Sequence, residues 1–273
     1  MKHDRKRIVA IMDMIEIAED AVRYPLSDLK KVLILGIIIL FTSMPGISII
    51  ASLLGSSDLS IIKFLGILYL LVYGYLFRII KSSLNGIIEL PDFDNWTDMF
   101  KDGIKVFIVS IIYSTPALFI ILAFAVVPFA SNFGIMGSNI STVVNMLLQT
   151  AGAWAFIAIL YMILIIPIIL IAVTNMAYNK SELDAAFKFH TIINIIEQIG
   201  QKQIIKWYIL VGAIYIIIYL LGSIITTIFS ILLYPLVEQV LTSLIIGQLL
   251  TLLVVSPYLK MYFARSIASF YVS

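Results

Sequence analysis

The acidic stretch ELPDFDNWTDMFKDGIKV, residues 89–106, holds the side chains whose types and spacing could do chemistry. It places five carboxylates and two lysines within eighteen residues, although only 12% of the chain is charged. Carboxylate oxygens can hold a cation or an amine-bearing lipid headgroup, and the face of an indole ring attracts cations. The candidate residues for contact with a headgroup, a cation or a partner are Asp92, Asp94, Trp96 and Asp98.

The same stretch also fits a purely structural interpretation. Apolar residues recur at helical spacing within residues 96–103, and charged residues within 98–105 lie on the opposite face. Asp92, Asp94 or Asn95 can cap the start of such a helix. We favour the structural interpretation and keep a binding role as the alternative.

The rest of the chain offers little reactive chemistry. It has no cysteine, which excludes disulfides and thiolate nucleophiles, and its two histidines, His3 and His190, lie far apart. We see no Ser-His-Asp set, no glycine-rich phosphate loop and no spacing typical of a zinc or di-iron site. We therefore predict no catalytic residue, no cofactor and no metal, and we lean against an enzyme. The basic residues are too dispersed for nucleic-acid binding.

The composition indicates a membrane protein. Hydrophobic residues make up 62% of the 273 residues and the mean hydropathy is +1.08, beyond the range of soluble globular chains. Runs of about twenty apolar residues are long enough to cross a bilayer as helices. We predict six spans, near residues 32–55, 61–80, 104–129, 150–178, 207–233 and 236–263.

The basic residues predict the orientation of these spans. Seventeen of the 18 Lys and Arg residues fall before the first span, in the second-to-third and fourth-to-fifth connections, or after the last span. Only Lys63 falls on the opposite side. Because basic loops stay in the cytoplasm, we expect both termini to be cytoplasmic in a multi-pass protein of the plasma membrane.

An amphipathic segment comes before each of three pairs of spans. The first lies in residues 1–29, ahead of a six-span domain at 30–273, and its polar stripe is acidic, with Ile15, Ala18 and Val22 on the apolar side. We expect this segment to dock on the protein's own basic residues rather than on anionic lipid. The third segment begins at a capping box, Ser181 to Asp184, and ends at Gly200. The predicted fold is therefore all-α, with six transmembrane helices in three pairs and a cytoplasmic amphipathic helix before each pair.

Polar residues and prolines interrupt the apolar runs. We expect the polar side chains to form hydrogen bonds between helices, or else to line a cavity. Prolines should kink or break their helices. The polar residues are Asn145, Gln149, Asn175, Thr226, Thr227 and Gln248, and the prolines are Pro45, Pro116, Pro167 and Pro257.

Two passages of the chain resemble a known family. The pattern Leu90-Pro91, Phe93, Trp96, Phe100, Gly103 and Lys105, with the entry YPLSDLKKVLILG at residues 24–36, is similar to a family of archaeal and bacterial membrane proteins, domain of unknown function 4013. The chain also resembles, more remotely, the membrane part of some glycerophosphodiester phosphodiesterases. Neither resemblance implies a catalytic residue.

Three functional hypotheses follow from these observations. The first is a non-enzymatic protein that handles a lipid or a small amphiphile, with membrane lipids as its partners. The second is an enzyme acting at the cytoplasmic interface through Asp92, Asp94 or Asp98. The third is a structural or assembly scaffold, which would imply a protein partner or a homo-oligomer.

Overall fold

The computed structural model describes residues 14–43, 45–47, 49, 67–131, 140–237 and 240–273, and these residues form helices and no strand. Short 3₁₀ turns occupy Tyr24–Ser27 and Leu183–Phe187, and a π-helical stretch occupies Thr251–Val255. The α-helices are α1 (Met14–Arg23), α2 (Leu29–Thr42), α3 (Leu70–Leu84), α4 (Trp96–Ser131), α5 (Ile140–Tyr178), α6 (Phe189–Ile199), α7 (Gln201–Val237), α8 (Val240–Leu250) and α9 (Ser256–Val272).

Four of the described helical segments are long and apolar enough to cross a membrane, as a multi-pass membrane protein requires. They are Trp96–Ile120, Phe156–Tyr178, Gln201–Pro235 and Leu244–Val272. The predicted spans 32–55 and 61–80 lie partly outside the described residues. Their described parts are helical and belong to α2 and α3.

The helices are longer than the apolar runs that predicted them. Helix α4 begins at Trp96, so the second amphipathic segment forms its first turns instead of a separate helix. Helix α7 begins at Gln201, and α9 continues to Val272, beyond the predicted end at residue 263. Hydropathy marks only the part of a helix that lies in lipid, whereas the backbone hydrogen bonds continue through its polar turns.

Two of the four predicted proline effects are visible as breaks in the helical pattern. Helix α2 ends at Thr42, and Ser43 adopts an extended conformation shortly before Pro45. Pro257 lacks the N–H that would bond to the Leu253 carbonyl in an α-helix, and the chain is π-helical just before it. Helices α4 and α5 continue past Pro116 and Pro167.

Close backbone contacts hold α3 against α4 and α2 against the π-helical stretch. A Cβ added at Gly74 would overlap the Met99 carbonyl oxygen, and one added at Gly103 would overlap the Leu70 carbonyl oxygen. An added Cβ at Gly36 would likewise overlap Leu253. Small residues allow the close approach that membrane helices use in place of a hydrophobic driving force.

The buried core lies at one end of the helices, which we call the polar end. There α1, the loop at residues 85–95, the turn at 179–182 and α6 pack on the ends of α3, α5 and α9. Farther along α4, α5 and α7, large apolar side chains such as Phe119, Leu164 and Ile225 are exposed, as expected for contact with lipid. The largest fully buried side chains of the core include Trp207, Tyr75, Tyr262, Phe77, Ile17 and Met99.

Helix α1 docks on the protein itself, as its acidic stripe predicted, and through most of the predicted apolar side. Ala18 is buried and Val22 packs against the core, whereas Ile15 is exposed. Ile17 and Ala21 are also buried, and Asp20 beside them forms a salt bridge with Arg265 of α9.

Polar residues within the predicted spans divide into several groups. Asn175 and Thr226 form the expected interhelical bonds, to the Tyr271 hydroxyl at 3.0 Å and the Thr251 hydroxyl at 3.3 Å. Thr227 bonds only within its own helix, to the Ser223 carbonyl. Gln248 is exposed. The side chains of Asn145 and Gln149 lie outside the described set.

Candidate functional site

The 85–95 loop, which carries Asp92 and Asp94, is fixed through its backbone carbonyls. Seven of these carbonyls accept hydrogen bonds from side chains of other elements, so the loop is held from several directions at once. The acceptors and donors are Ile87 with Arg265 Nη1 at 2.9 Å, Glu89 with the Tyr24 hydroxyl at 3.2 Å, Leu90 with Lys31 Nζ at 2.6 Å, Pro91 with the Tyr75 hydroxyl at 3.0 Å, Asp92 and Asp94 with Arg78 Nη1 at 2.8 and 2.9 Å, and Asn95 with Arg78 Nη2 at 3.5 Å.

Asp92 forms an ion pair with Lys31 at the start of α2. The Lys31 Nζ lies 2.8 Å from Asp92 Oδ1, while 79% of the Asp92 side chain stays exposed. The hydrogen bond from Lys31 and its charge together lower the pKa of Asp92 below its usual value. The carboxylate is therefore ionised, held in place and still open to solvent.

Asp94 forms the corresponding pair with Arg78 of α3. Arg78 Nη1 lies 2.6 Å from Asp94 Oδ1 and 2.9 Å from the Asp94 carbonyl, and 63% of the side chain remains exposed. The Asn95 amide donates to the other carboxylate oxygen at 3.1 Å. Asn95 itself has a φ of 44°, a left-handed conformation that asparagine tolerates better than most residues.

The expected capping role is therefore wrong for Asp92 and Asp94, while Asn95, the third candidate, directly precedes α4 and bonds through its side chain to Asp94. The carboxylates of Asp92 and Asp94 bind cations from α2 and α3, whereas the first turn of α4 closes on the carbonyl of Asn95, which accepts from the Asp98 and Met99 amides. The carboxylates bond to Lys31 and Arg78 rather than to backbone amides, because a hydrogen bond between two charged groups is stronger than one to a neutral amide.

Trp96 and Asp98 belong to the first turn of α4. The Trp96 ring lies 6.1 Å from the Phe93 ring, which stacks on Tyr75 at 3.9 Å, and Trp96 is 46% exposed. Asp98 points into solvent and pairs with Lys101 at 3.5 Å. The structure thus groups Asp92, Asp94 and Trp96 on one fixed loop and the adjoining helix start, while Asp98 lies on the solvated side of the helix.

Sequence reasoning missed the residues that hold the loop in place. The most buried of the charged ones is Arg265, whose guanidinium lies over the Tyr24 ring at 4.7 Å and bonds to Asp20 at 2.6 and 3.3 Å. It also donates to the Ser83 hydroxyl at 3.0 Å. The available signal was an arginine within a long apolar helix, since such a charge needs a partner inside the protein.

A second ion network joins α3, α4 and the 179–182 turn. Asp102 lies 3.5 Å from Lys81 and 3.7 Å from Lys105, and Lys105 donates to the Ser181 carbonyl at 2.9 Å. The predicted capping box is wrong, because Ser181 adopts a φ of 64° and its buried hydroxyl has no hydrogen-bond partner. The hydroxyl is turned inward by the left-handed turn, away from the amides it was expected to cap.

The arrangement suits contact better than catalysis. Within the described part of the chain, no group of three His, Asp or Glu side chains could hold a metal ion. The carboxylates of Asp92, Asp94 and Asp98 each have a separate cation, so they do not converge on one point. What the loop can present is a rigid surface of exposed carboxylates beside the Trp96 ring.

One family model matches the chain. It is described as a protein of unknown function, DUF4013, and it matches residues 57–227, more than half of the chain. No curated protein and no solved structure matches the chain. The remote resemblance to the membrane part of glycerophosphodiester phosphodiesterases therefore stays a prediction.

Proposed function

We propose a function for this chain on the premise that it belongs to the DUF4013 family of proteins of unknown function. The chain handles a lipid or a small amphiphile without catalysing a reaction. One observation carries this proposal. The 85–95 loop holds the accessible carboxylates of Asp92 and Asp94 in fixed positions beside the half-exposed ring of Trp96.

The chemistry of that surface favours an amphiphile. The exposed carboxylate oxygens attract an amine or another cationic group, and the indole face of Trp96 adds a cation–π contact. Lys31 and Arg78 neutralise part of the negative charge, so a headgroup that carries both signs would fit better than a bare cation. Asp98, on the solvated side of the first turn of α4, adds a further exposed carboxylate near this surface.

The membrane arrangement is part of the proposal. We propose six spans in three pairs across the plasma membrane. Both termini lie on its cytoplasmic side, and α1 and α6 lie at the cytoplasmic interface. The exposed apolar side chains of α4, α5 and α7 support a lipid contact over much of their length. The clustering of Lys and Arg at the polar end supports its cytoplasmic location.

Lipid analysis of the protein extracted directly into polymer nanodiscs tests the function. We expect one lipid class to be enriched over its share of the surrounding membrane. A lipid composition equal to that of the bulk membrane would refute the proposed function.

Carboxamide variants test the site. Asp92→Asn with Asp94→Asn should remove the enrichment while the loop stays in place, because Lys31 and Arg78 still donate to the Leu90 and Asp92 carbonyls. The matched control is Asp184→Asn, since Asp184 forms a comparable exposed pair with Lys188 at 2.9 Å elsewhere at the polar end. Enrichment that survives the double substitution would exclude these carboxylates as the contact.

The interfacial enzyme and the scaffold remain hypotheses. No specific observation among the described residues favours either of them over the proposed function. An in vivo phenotype that is lost only when Asp92, Asp94 and Asp98 are all replaced by alanine would favour the enzyme.

A further inference from the structure

Lys260 of α9 is a half-buried cation without an acidic partner. The described structure gives it no ion pair, and its ammonium lies 5.8 Å from the centre of the Tyr69 ring. Every other half-buried or buried Lys or Arg in the described part of the chain pairs with a carboxylate: Lys31, Arg78, Lys81, Lys105 and Arg265 do so. Lys260 is the exception, and it lies in a segment apolar enough to cross the membrane.

Two tyrosine hydroxyls next to Lys260 also lack partners. The centres of the Tyr69 and Tyr73 rings lie 5.4 Å apart, with the rings edge to face. Lys260 is also close enough to Tyr73 for its charge to interact with that phenol group. Tyr69 and Tyr73 are half-buried, yet neither hydroxyl makes a hydrogen bond in the described structure. Among the other buried or half-buried tyrosines in the described part of the chain, the hydroxyl of Tyr208 shares this lack. The other seven make such a bond: Tyr24, Tyr75, Tyr113, Tyr161, Tyr258, Tyr262 and Tyr271.

The position of this cluster along the helices matches the boundary of the bilayer. Gly103 of α4 packs on Leu70, next to Tyr69, so the cluster lies near the level of Lys105. Lys105 is the second residue of the predicted third span, 104–129, on the side where basic residues gather. In the predicted second span, 61–80, Tyr69 and Tyr73 would lie near the middle, whereas the contact of Leu70 with Gly103 brings them level with the start of the predicted third span. This contact favours the depth of the lipid headgroups for Lys260, Tyr69 and Tyr73.

We propose that Lys260, Tyr69 and Tyr73 bind the phosphate group of an anionic phospholipid. A half-buried ammonium at the membrane boundary needs a counter-charge, and the described chain supplies only aromatic rings. The ammonium of Lys260 and the phenol groups of the adjoining Tyr69 and Tyr73 suit phosphate oxygens, which accept strong hydrogen bonds from charged and phenolic groups. Basic positions between helices on the cytoplasmic side are typical places for such headgroups.

An apolar stripe on α4 supports a lipid rather than free phosphate as the source of that group. The Phe107 ring lies 6.4 Å from the Tyr73 ring, and Phe107, Ile111 and Leu118 are exposed on one face of α4. This face leads from the cluster into the part of the helix that is most apolar. An acyl chain would follow it while the phosphate stays at Lys260.

This inference rests on the proposed function and goes beyond it, because it adds a second lipid contact that recognises a phosphate group. Its site is distinct from the Asp92 and Asp94 surface, so the two can fail separately. Loss of all lipid enrichment in nanodiscs refutes the function, whereas the experiment below refutes only the Lys260 site.

Native mass spectrometry of the full chain in detergent, titrated with dioleoyl phosphatidylglycerol, tests the site. We expect one tightly bound lipid, with affinity about tenfold lower in Lys260→Met, because a hydrogen-bonded charge is lost. Lys260→Arg should retain binding. The matched control is Lys30→Met, since Lys30 is an exposed lysine without an ion pair at the start of α2, and it should bind as the unaltered chain does.

Other variants and probes keep the test decisive. If Lys260→Met does not fold, Tyr69→Phe with Tyr73→Phe keeps both rings and removes only the unpartnered hydroxyls, and it should weaken binding of phosphatidylglycerol about threefold. Equal affinity in the variants and the unaltered chain would overturn the site, as would equal binding of phosphatidylcholine. If inorganic phosphate binds at this site and phosphatidylglycerol does not compete with it, the bound phosphate does not come from a lipid, and that part of the proposal is wrong.

Discussion

Arg265 shows how one residue decides the arrangement of several elements. Its guanidinium bonds to Asp20 of α1, Ser83 of α3 and the Ile87 carbonyl of the 85–95 loop. The Arg265 side chain is only 9% exposed. A buried guanidinium that loses its counter-charge is strongly destabilising, so these bonds must form together.

Asp20→Asn tests this dependence. We expect it to lower the stability by about 2 kcal/mol, less than the roughly 3–5 kcal/mol for a fully buried pair, because Asp20 keeps some contact with solvent. The control is Glu19→Gln on the same helix, whose pair with Arg23 is exposed and should contribute less than about 1 kcal/mol. Thermal unfolding in detergent measures both, and equal shifts in the two variants would contradict the role of Arg265.

Ser181 shows a local strain that a substitution can remove. Its φ of 64° is costly for a residue with a Cβ, and its buried hydroxyl lacks a partner. Ser181→Gly should therefore raise the stability by about 1 kcal/mol. Ser181→Ala removes the hydroxyl and keeps the Cβ, so it should give a smaller gain. A lower unfolding midpoint in Ser181→Gly would show that the hydroxyl has a stabilising contact.

At the scale of elements, the 85–95 loop depends on the α3–α4 pair that lies beneath it. Arg78 and Tyr75 of α3 hold the loop from one side, and Trp96 continues from it into α4. The two helices can approach because Gly74 and Gly103 have no side chain at the crossing. The position of Asp92 and Asp94 therefore depends on the contact between α3 and α4. The closest points of that contact, at Gly74 and Gly103, carry no charge.

Gly74→Ala tests the close approach of α3 and α4. An added methyl group would overlap the Met99 carbonyl, so the helices must separate, and we expect a loss of about 2 kcal/mol or more. Gly212→Ala in α7 is the matched control, because nothing lies within 4 Å of the position of its added Cβ. That variant should be neutral or more stable by up to about 1 kcal/mol. Size-exclusion chromatography and thermal unfolding in detergent compare the two, and unchanged stability in Gly74→Ala would contradict the contact.

At the scale of the whole molecule, the absence of cysteine makes the orientation directly measurable. Single cysteines at Lys101, Asn194 and Ser273 should react with a membrane-impermeant maleimide only after the cells are opened. Cysteines at Ser57 and Asn132, in the predicted outer connections, and at Gln239, at the outer end of the predicted sixth span, should react in intact cells. Labelling of Lys101→Cys from outside would reverse the proposed orientation, and labelling of Ser57→Cys only after opening would contradict the six-span arrangement.

The sequence by itself determined the class of structure. The length and purity of the apolar runs require helices in a bilayer, because lipid offers the backbone no other hydrogen-bond partner. Local patterns also placed the end of α6 at Gly200, the breaks near Pro45 and Pro257, and the docking of an acidic α1 on the protein. These features depend on neighbouring residues in the chain or on charge sign, which a sequence records directly.

Only the tertiary structure decided which partner each charge takes. Asp92 and Lys31 are 61 positions apart in sequence, and Asp20 and Arg265 are 245 apart, so no local pattern could pair them. The same holds for Lys260 and Tyr69, whose proximity depends on how α9 lies against α3. Helical spacing shows which residues share a face, but the rotation and depth at which two helices meet depend on their packed side chains and glycines. For this reason the acidic stretch was visible in the sequence, while the cations that fix it and the unpaired lysine became visible only in the fold.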